Sequence, residues 1–492
     1  METILIKGLQ LIVALALLII LHEFGHTIAA KIFKVRVEKF CLFFDWKYTI
    51  FSTYSNWWRK LTGKKPAKKK ENGEYEYEGT EYSIGWIPLG GYAKIAGMVD
   101  ESSFKEDDST KGFIKELPSM LKNIIIKKED VKGQSWEFRT HPAWQRLIIM
   151  LGGIIMNFIT AFVIYAMVLF TWGESFVKSE DMNYGMKFSE QAKADGFRDG
   201  DIIIKTDDAQ VESWSMAALQ DISNAKTVTV LRDGKEVVIT LKGERSLLDM
   251  IEAPVYAAMR SPLVIDSIIP GTPAEEMGLK KTDKICSVNG IEVIDFNDFQ
   301  NALINIQKNL PEKANFGDSL KARHITMVIN DSITRNVTLT SSFTLGFANA
   351  MPYADKVTTR HYGFFESFPA GVKYGIKTLK SYVDQMKYVF TAKGARQVGG
   401  FISIGNIFPD VWDWHRFWLL TAFLSIALGF ANVLPIPALD GGHAIFALFE
   451  LFTGRRLSDN FLLVVQYFGM WILLGLMVLA QFNDIMRLLG FN

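Results

Sequence analysis

Four stretches of this sequence are long and apolar enough to cross a lipid bilayer, and they decide most of what the chain can become: about Leu9–Ala30, Leu147–Trp172, Phe417–Leu434 and Phe461–Phe482. Hydrocarbon offers no partner to a backbone N–H or C=O, so each span must be a helix that satisfies its own backbone. Hydrophobic residues are 49% of the 492 residues, only slightly more than usual, because they are gathered into these stretches. The first stretch begins near enough to the N-terminus to pass for a signal peptide, with Thr27-Ile28-Ala29-Ala30 as its cleavage site. Cleavage there would discard the most informative motif in the sequence, so it is read as a retained span.

Basic residues orient the spans. Between Lys31 and Lys70 there are about a dozen Lys and Arg against two acids, Glu38 and Asp45. The positive-inside rule puts this loop in the cytoplasm, which leaves both termini and the long segment after the second span outside. A tract such as Lys68-Lys69-Lys70 then reads as a solvated stretch near anionic lipid headgroups. The net charge of +1 gives no pull toward nucleic acid. Cys41 and Cys286, the two cysteines, fall on opposite sides of the membrane, which argues against a disulfide framework and a cysteine-ligated metal.

Between the spans, Tyr82–Ile95 is apolar, glycine-rich and too short to cross the membrane; it predicts a hairpin or re-entrant segment surrounded by protein. The external segment repeats itself. Gly196-Phe197-Arg198-Asp199-Gly200-Asp201 and Gly278-Leu279-Lys280-Lys281-Thr282-Asp283 lie about 82 residues apart, and alternating strands follow at Thr227–Leu231 and Ile325–Ile329. These resemble two PDZ domains in tandem, the second the better match because Pro270-Gly271-Thr272-Pro273-Ala274 also fits. Such domains capture an extended peptide on a sheet edge, although two plain spacers would read alike. From Met351 to His415 an aromatic-rich helical spacing predicts amphipathic helices along the membrane surface, with an ordinary packed core as an equal contender.

The chemistry is concentrated in His22-Glu23-Phe24-Gly25-His26, at the end of the first span. Residues four apart share a helix face, so both imidazoles can bind one metal ion, with Glu23 beside them to take a proton from water. Three ionisable groups at a span's end cost several kcal/mol unless they face protein and have partners. The best third ligand is Asp440, just past the helix-breaking prolines of Asn432-Val433-Leu434-Pro435-Ile436-Pro437-Ala438-Leu439-Asp440-Gly441-Gly442-His443. A helix N-cap is the competing role for Asp440, and His443 is a rival ligand.

HEFGH in the first span together with NVLPIPALDGG near the C-terminus resembles the site-2 protease family of intramembrane zinc metalloproteases. The tandem PDZ-like segment is similar to its bacterial branch, the regulator-of-sigma-E proteases. Trp144-Gln145-Arg146, Gly152–Phe158 and Pro88-Leu89-Gly90-Gly91-Tyr92 extend the resemblance over nearly the whole chain. It implies Zn²⁺ held by His22, His26 and Asp440, Glu23 as catalytic base, and substrate held by Asn432, Gly90, Gly91, Tyr92, Pro435 and Pro437. Gly153 departs from the family's proline and is read as a packing position. The implied arrangement is a first span at 1–30, a cytoplasmic loop at 31–146 with its β insert at 82–98, and a second span at 147–172. PDZ-like domains follow at 173–250 and 251–345, then amphipathic helices at 346–415. The third span lies at 416–443, a connector at 444–460 and the fourth span at 461–483. Implied substrates are single-pass membrane proteins such as anti-sigma factors and remnant signal peptides, cut in a bacterial inner membrane whose lipids surround the enzyme, the PDZ-like domains being periplasmic. Two rival readings are a membrane scaffold worked by the PDZ-like pair and a metal transporter. The latter is weakened by the few acidic or His residues in spans two and four.

Overall fold

The structure is a computed structural model of the chain and describes residues 2–68, 76, 78–98, 125–126, 133–207, 209–241, 246–251, 254–310, 316–389 and 391–489. Most of the charged stretch 100–140 lies outside these residues, as do Lys69 and Lys70. The chain divides into two units: residues 1–173 with 361–492, and residues 174–360.

The first unit carries the spans. Among the described residues four helices are long and apolar enough to cross a membrane: Thr3–Ile32, Ala143–Thr171, Trp414–Val433 and Asp459–Leu488. The second span is the hub of the unit, and glycines set how closely its neighbours approach. A Cβ on Gly25 of the first span would stand 2.2 Å from the Gly152 carbonyl oxygen of the second. The helix Phe364–Val389 meets the second span in the same way. A Cβ on Gly371 would fall 2.5 Å from the Ala166 nitrogen, and one on Gly375 2.5 Å from the Phe162 ring. The two glycines sit one turn apart, the spacing that lets membrane helices touch backbone to backbone. This helix therefore runs packed along the second span, which is the second of the two arrangements that its sequence allows.

The Tyr82–Ile95 insert also differs from its expected form. Strands β1 (Val37–Phe44), β2 (Phe51–Ser52), β3 (Glu81–Ile84) and β4 (Ile87–Ile95) form one sheet in the order β2-β3-β1-β4. β3 and β4 do not pair with each other as a hairpin would; β1 lies between them, parallel to β3 and antiparallel to β4, with Cys41 opposite Ser83 on one side and Tyr92 on the other. The chain passes over the end of β1 at Gly85, whose N–H donates to the Leu42 carbonyl. Among the described residues β4 is left as an edge strand.

The second unit is built from two similar halves. In the first, strands Ile202–Thr206, Thr227–Arg232 and Lys235–Thr240 form a sheet, with helix Met216–Asn224 between the first two in sequence. In the second, Ile285–Val288, His324–Ile329 and Ile333–Thr338 repeat the pattern around helix Phe296–Lys308. Alternation along the strands buries Val228, Val230, Ile325, Met327 and Ile329, as a one-faced antiparallel sheet requires.

Candidate metal centre

His22 and His26 lie on one face of the first span, both buried, where the Gly25–Gly152 contact brings that helix against the second span. The third element arrives from the far end of the sequence. The third span ends at Val433, and the chain crosses from Leu434 to Leu439 without regular structure before helix Asp440–Thr453 begins. Ala438 in this crossing has a left-handed φ of 77°, a conformation that costs a non-glycine residue about 1 kcal/mol or more. Gly441 and Gly442 permit the tight turn: a Cβ on Gly441 would lie 2.4 Å from the Leu434 carbonyl oxygen. The helix is tied down at its other end by a buried ion pair between Glu450 and Arg146 of the second span.

Asp440 is the first residue of its helix; Leu439 occupies the cap position and makes no side-chain cap. The Asp440 carboxylate instead faces the histidines. Its Oδ2 lies 3.1 Å from His22 Nε2 and 3.2 Å from His26 Nε2, and the two Nε2 atoms are 3.3 Å apart. His443, one turn on, lines the same cavity but falls outside this group of three.

The proton inventory decides what the triangle is. His26 Nδ1 is 2.8 Å from the Ile149 carbonyl oxygen, which can only accept, so Nδ1 carries the hydrogen and Nε2 of the neutral ring presents a lone pair. His22 Nδ1 is 3.0 Å from the Asn157 amide, whose Oδ1 is buried with no hydrogen-bond partner. A half-turn of that amide puts its oxygen on Nδ1–H, satisfies both groups, and leaves His22 Nε2 likewise with a lone pair. Asp440 Oδ2 is buried and receives no hydrogen bond. With both rings neutral and so assigned, three electron-rich atoms converge, an arrangement that a cation at its centre would relieve. Ligands about 2.0–2.1 Å from a tetrahedral zinc lie roughly 3.3 Å apart, which the observed triangle matches. Two imidazoles and a carboxylate at these distances are donors that suit zinc, and the group could hold one ion.

Glu23 borders the same cavity, of about 670 Å³, and its carboxylate meets the Ala93 backbone N–H. Of the other residues expected to hold substrate, Asn432, Gly91 and Tyr92 line this cavity. Gly90, Pro435 and Pro437 do not border it. Gly90 instead abuts the Phe44 ring, and the Pro437 carbonyl packs against Gly469 of the fourth span. The Tyr92 hydroxyl donates to Asp45, which also accepts from Lys39 and Thr49.

Two site residues escape sequence reasoning. Gly153, read from sequence as a packing position, lies directly beneath the ligands: a Cβ there would stand 2.3 Å from His26 Nε2. Asn157 is wholly buried at His22. The signal available for both was their position in the apolar second span, where a polar amide and a glycine pair need a reason.

A profile of peptidase family M50 matches residues 10–55 and 72–476. A Xylella fastidiosa protein that carries the name of a zinc metalloprotease is 26% identical over 97% of this chain and 98% of its own length. The metalloprotease MmpA of Caulobacter vibrioides is 25% identical over 98% of this chain and 96% of its own.

Proposed function

The chain belongs to peptidase family M50, the site-2 protease family of zinc metalloproteases, and from that premise we propose that it cuts peptide bonds inside the membrane-spanning segments of single-pass proteins. The observation that carries this reading is the convergence of His22 Nε2, His26 Nε2 and Asp440 Oδ2 at 3.1–3.3 Å, beside Glu23, within apolar spans. His22, His26 and Asp440 would hold the zinc, which when bound supplies a Lewis acid and lowers the pKa of water toward neutrality.

The chain's own residues account for the rest. Glu23 takes the proton of the attacking water and delivers it to the leaving amine; Ala93 of β4 lines the same cavity beside it. A helical substrate shields its peptide bonds and has already bonded its carbonyls, so it must unwind. The edge of β4 offers the extended segment a partner strand, with Gly91 and Tyr92 at that edge and Asn432 lining the same cavity. Gly90 allows the close fit of β4 on Phe44. Pro435 and Pro437 keep the segment before Asp440 out of the helix.

We read the two halves of residues 174–360 as PDZ-like domains on the periplasmic side of a bacterial inner membrane. There they would screen substrates already shortened by another protease. Anti-sigma factors and remnant signal peptides are the substrate class this implies. The test is cleavage of a tagged single-pass protein by purified wild type and Glu23→Gln, with zinc measured on both. Cleavage by wild type alone, with zinc retained in the variant, is the expected result. Equal cleavage by both, or none by a zinc-loaded wild type across several substrates, sinks the proposal.

A further inference from the structure

The fourth span, Asp459–Leu488, faces outward along most of its length; its buried residues are Gln466, Gly469, Ala480 and Asp484. Asp484 is committed to structure, since its carboxylate accepts from the Ile402 and Ser403 N–H groups and from the Ser403 hydroxyl. Gln466 is not committed. It is 3% exposed, its Oε1 is buried without a hydrogen-bond partner, and it lines the cavity shared by His22, Glu23, His26 and Asp440.

Neighbouring contacts hold Gln466 in that place. Gly469, one turn along the same face, lies so close to the crossing before Asp440 that a Cβ there would stand 1.9 Å from the Pro437 carbonyl oxygen. The fourth span is thereby docked on the segment that delivers Asp440, with Gln466 turned to the cavity. Packing alone would be served better by leucine or methionine, because an unpaired amide in an apolar interior is costly. Elsewhere in the cavity Asp45 has three donors around it, so a partnered polar group is attainable in this environment.

We propose that Gln466 binds substrate backbone. A primary amide donates and accepts as a peptide unit does, so it can pair with a peptide bond released when the substrate helix unwinds. It reads main chain and ignores side chains. The unwound segment would then be held from two directions, by the β4 edge on one side and Gln466 on the other. This rests on the reading of the chain as an intramembrane protease and adds to it a residue that favours unwound segments of any side-chain sequence.

The test uses full-length protein and single-pass substrates whose spanning segments differ in side chains but share a helix-breaking Gly-Pro pair. Gln466→Leu should raise KM about tenfold on every such substrate with kcat and zinc content near wild type, and Gln466→Asn should restore part of the loss. In a Glu23→Gln background, a benzoylphenylalanine photocrosslinker in place of Gln466 should capture the spanning segment. Wild-type KM in Gln466→Leu, or loss of zinc in both variants, overturns the proposal, the latter by assigning Gln466 to structure. Crosslinking without cleavage by the wild type would overturn the protease reading and leave Gln466 as a substrate contact. Neither crosslinking nor cleavage overturns both.

Discussion

Two carboxylates, one in each unit, are shielded from solvent to different degrees and are opposite by partners: Asp295 is buried, and Asp440 is half-buried with its Oδ2 enclosed. Asp295, in the unit of residues 174–360, is surrounded by donors: Oδ2 lies 2.8 Å from Arg260 and 3.2 Å from Lys187, and Oδ1 accepts the Asp298 N–H at the start of a helix. Asp440, among the spans, faces two imidazole nitrogens and receives no hydrogen bond. The first is a solved electrostatic problem, and nothing further need bind there. The second is a problem left open, which a cation closes. Burial alone therefore does not mark a functional carboxylate; the number of protons available to it does.

The sharpest way to break this contrast is to remove each carboxylate in turn. Asp440→Ala should abolish zinc retention and lower proteolysis at least a thousandfold, in line with loss of a ligand that assembles the reacting group. Asp295→Ala should leave zinc content at the wild-type level while costing the second unit about 3 kcal/mol, because it removes the helix cap at Asp298 and leaves Arg260 without its carboxylate. Metal analysis beside thermal unfolding reads both. Zinc retained in Asp440→Ala would return that residue to a structural role.

Next in size is Gly153→Ala. The added methyl would overlap the His26 ring, so His26 must rotate or the two spans must part, and activity should fall about a hundredfold on a displacement near 1 Å. Asn157→Leu should follow, with zinc affinity lowered about 10- to 100-fold as His22 loses the acceptor that orients its ring. Asn157→Asp keeps an acceptor and should recover most of that affinity. Chelator competition with the loaded protein separates the two variants without reference to activity.

How much of this was legible beforehand depended on the environment of each residue. The four spans were plain because apolar runs of that length have few other uses. The candidate metal group stands out in the sequence because His22, His26 and Asp440 are costly in a span or at its end, and the structure brings the three together. β1 was not, since Val37–Phe44 mixes Glu38 and Lys39 into its apolar run and follows directly on the first span. The pairing of β3 and β4 with β1 could not be read from periodicity, which reports a strand and not its neighbour. The aromatic-rich spacing of Phe364–Val389 suits a membrane-surface helix and a packed core equally; the Gly371–Gly375 spacing, which docks it on the second span, decides between them. For Gly153 and Asn157 the sequence offers only that a glycine and a polar amide stand in an apolar span; their roles come from the histidines packed against them.

The smallest expected effect concerns pH and tests the Asp295 side of the contrast. Burial alone would raise the Asp295 pKa, but the Asp298 N–H, Arg260 and Lys187 together hold it below the ordinary 3.8. A carboxylate depressed on folding contributes stability that is fully present above its unfolded pKa and is lost as pH falls through the folded value. The contribution should thus be constant from neutrality to about pH 5 and decline below about pH 4. Amide exchange in strand Ala257–Met259, followed in the full-length protein as pH is lowered, should show protection weakening in that window. Asp295→Asn should be less protected at neutral pH and show a flatter profile on acidification. Lys187 also touches Asp199 and Asp298, and Asp199 is itself held below the ordinary range, by the Phe188 N–H and Lys187 against the opposing effect of burial. The variant should therefore retain part of the acid sensitivity, and only the difference between the two profiles belongs to Asp295. Identical profiles would mean that the donors around Asp295 pack the chain without stabilising its charge.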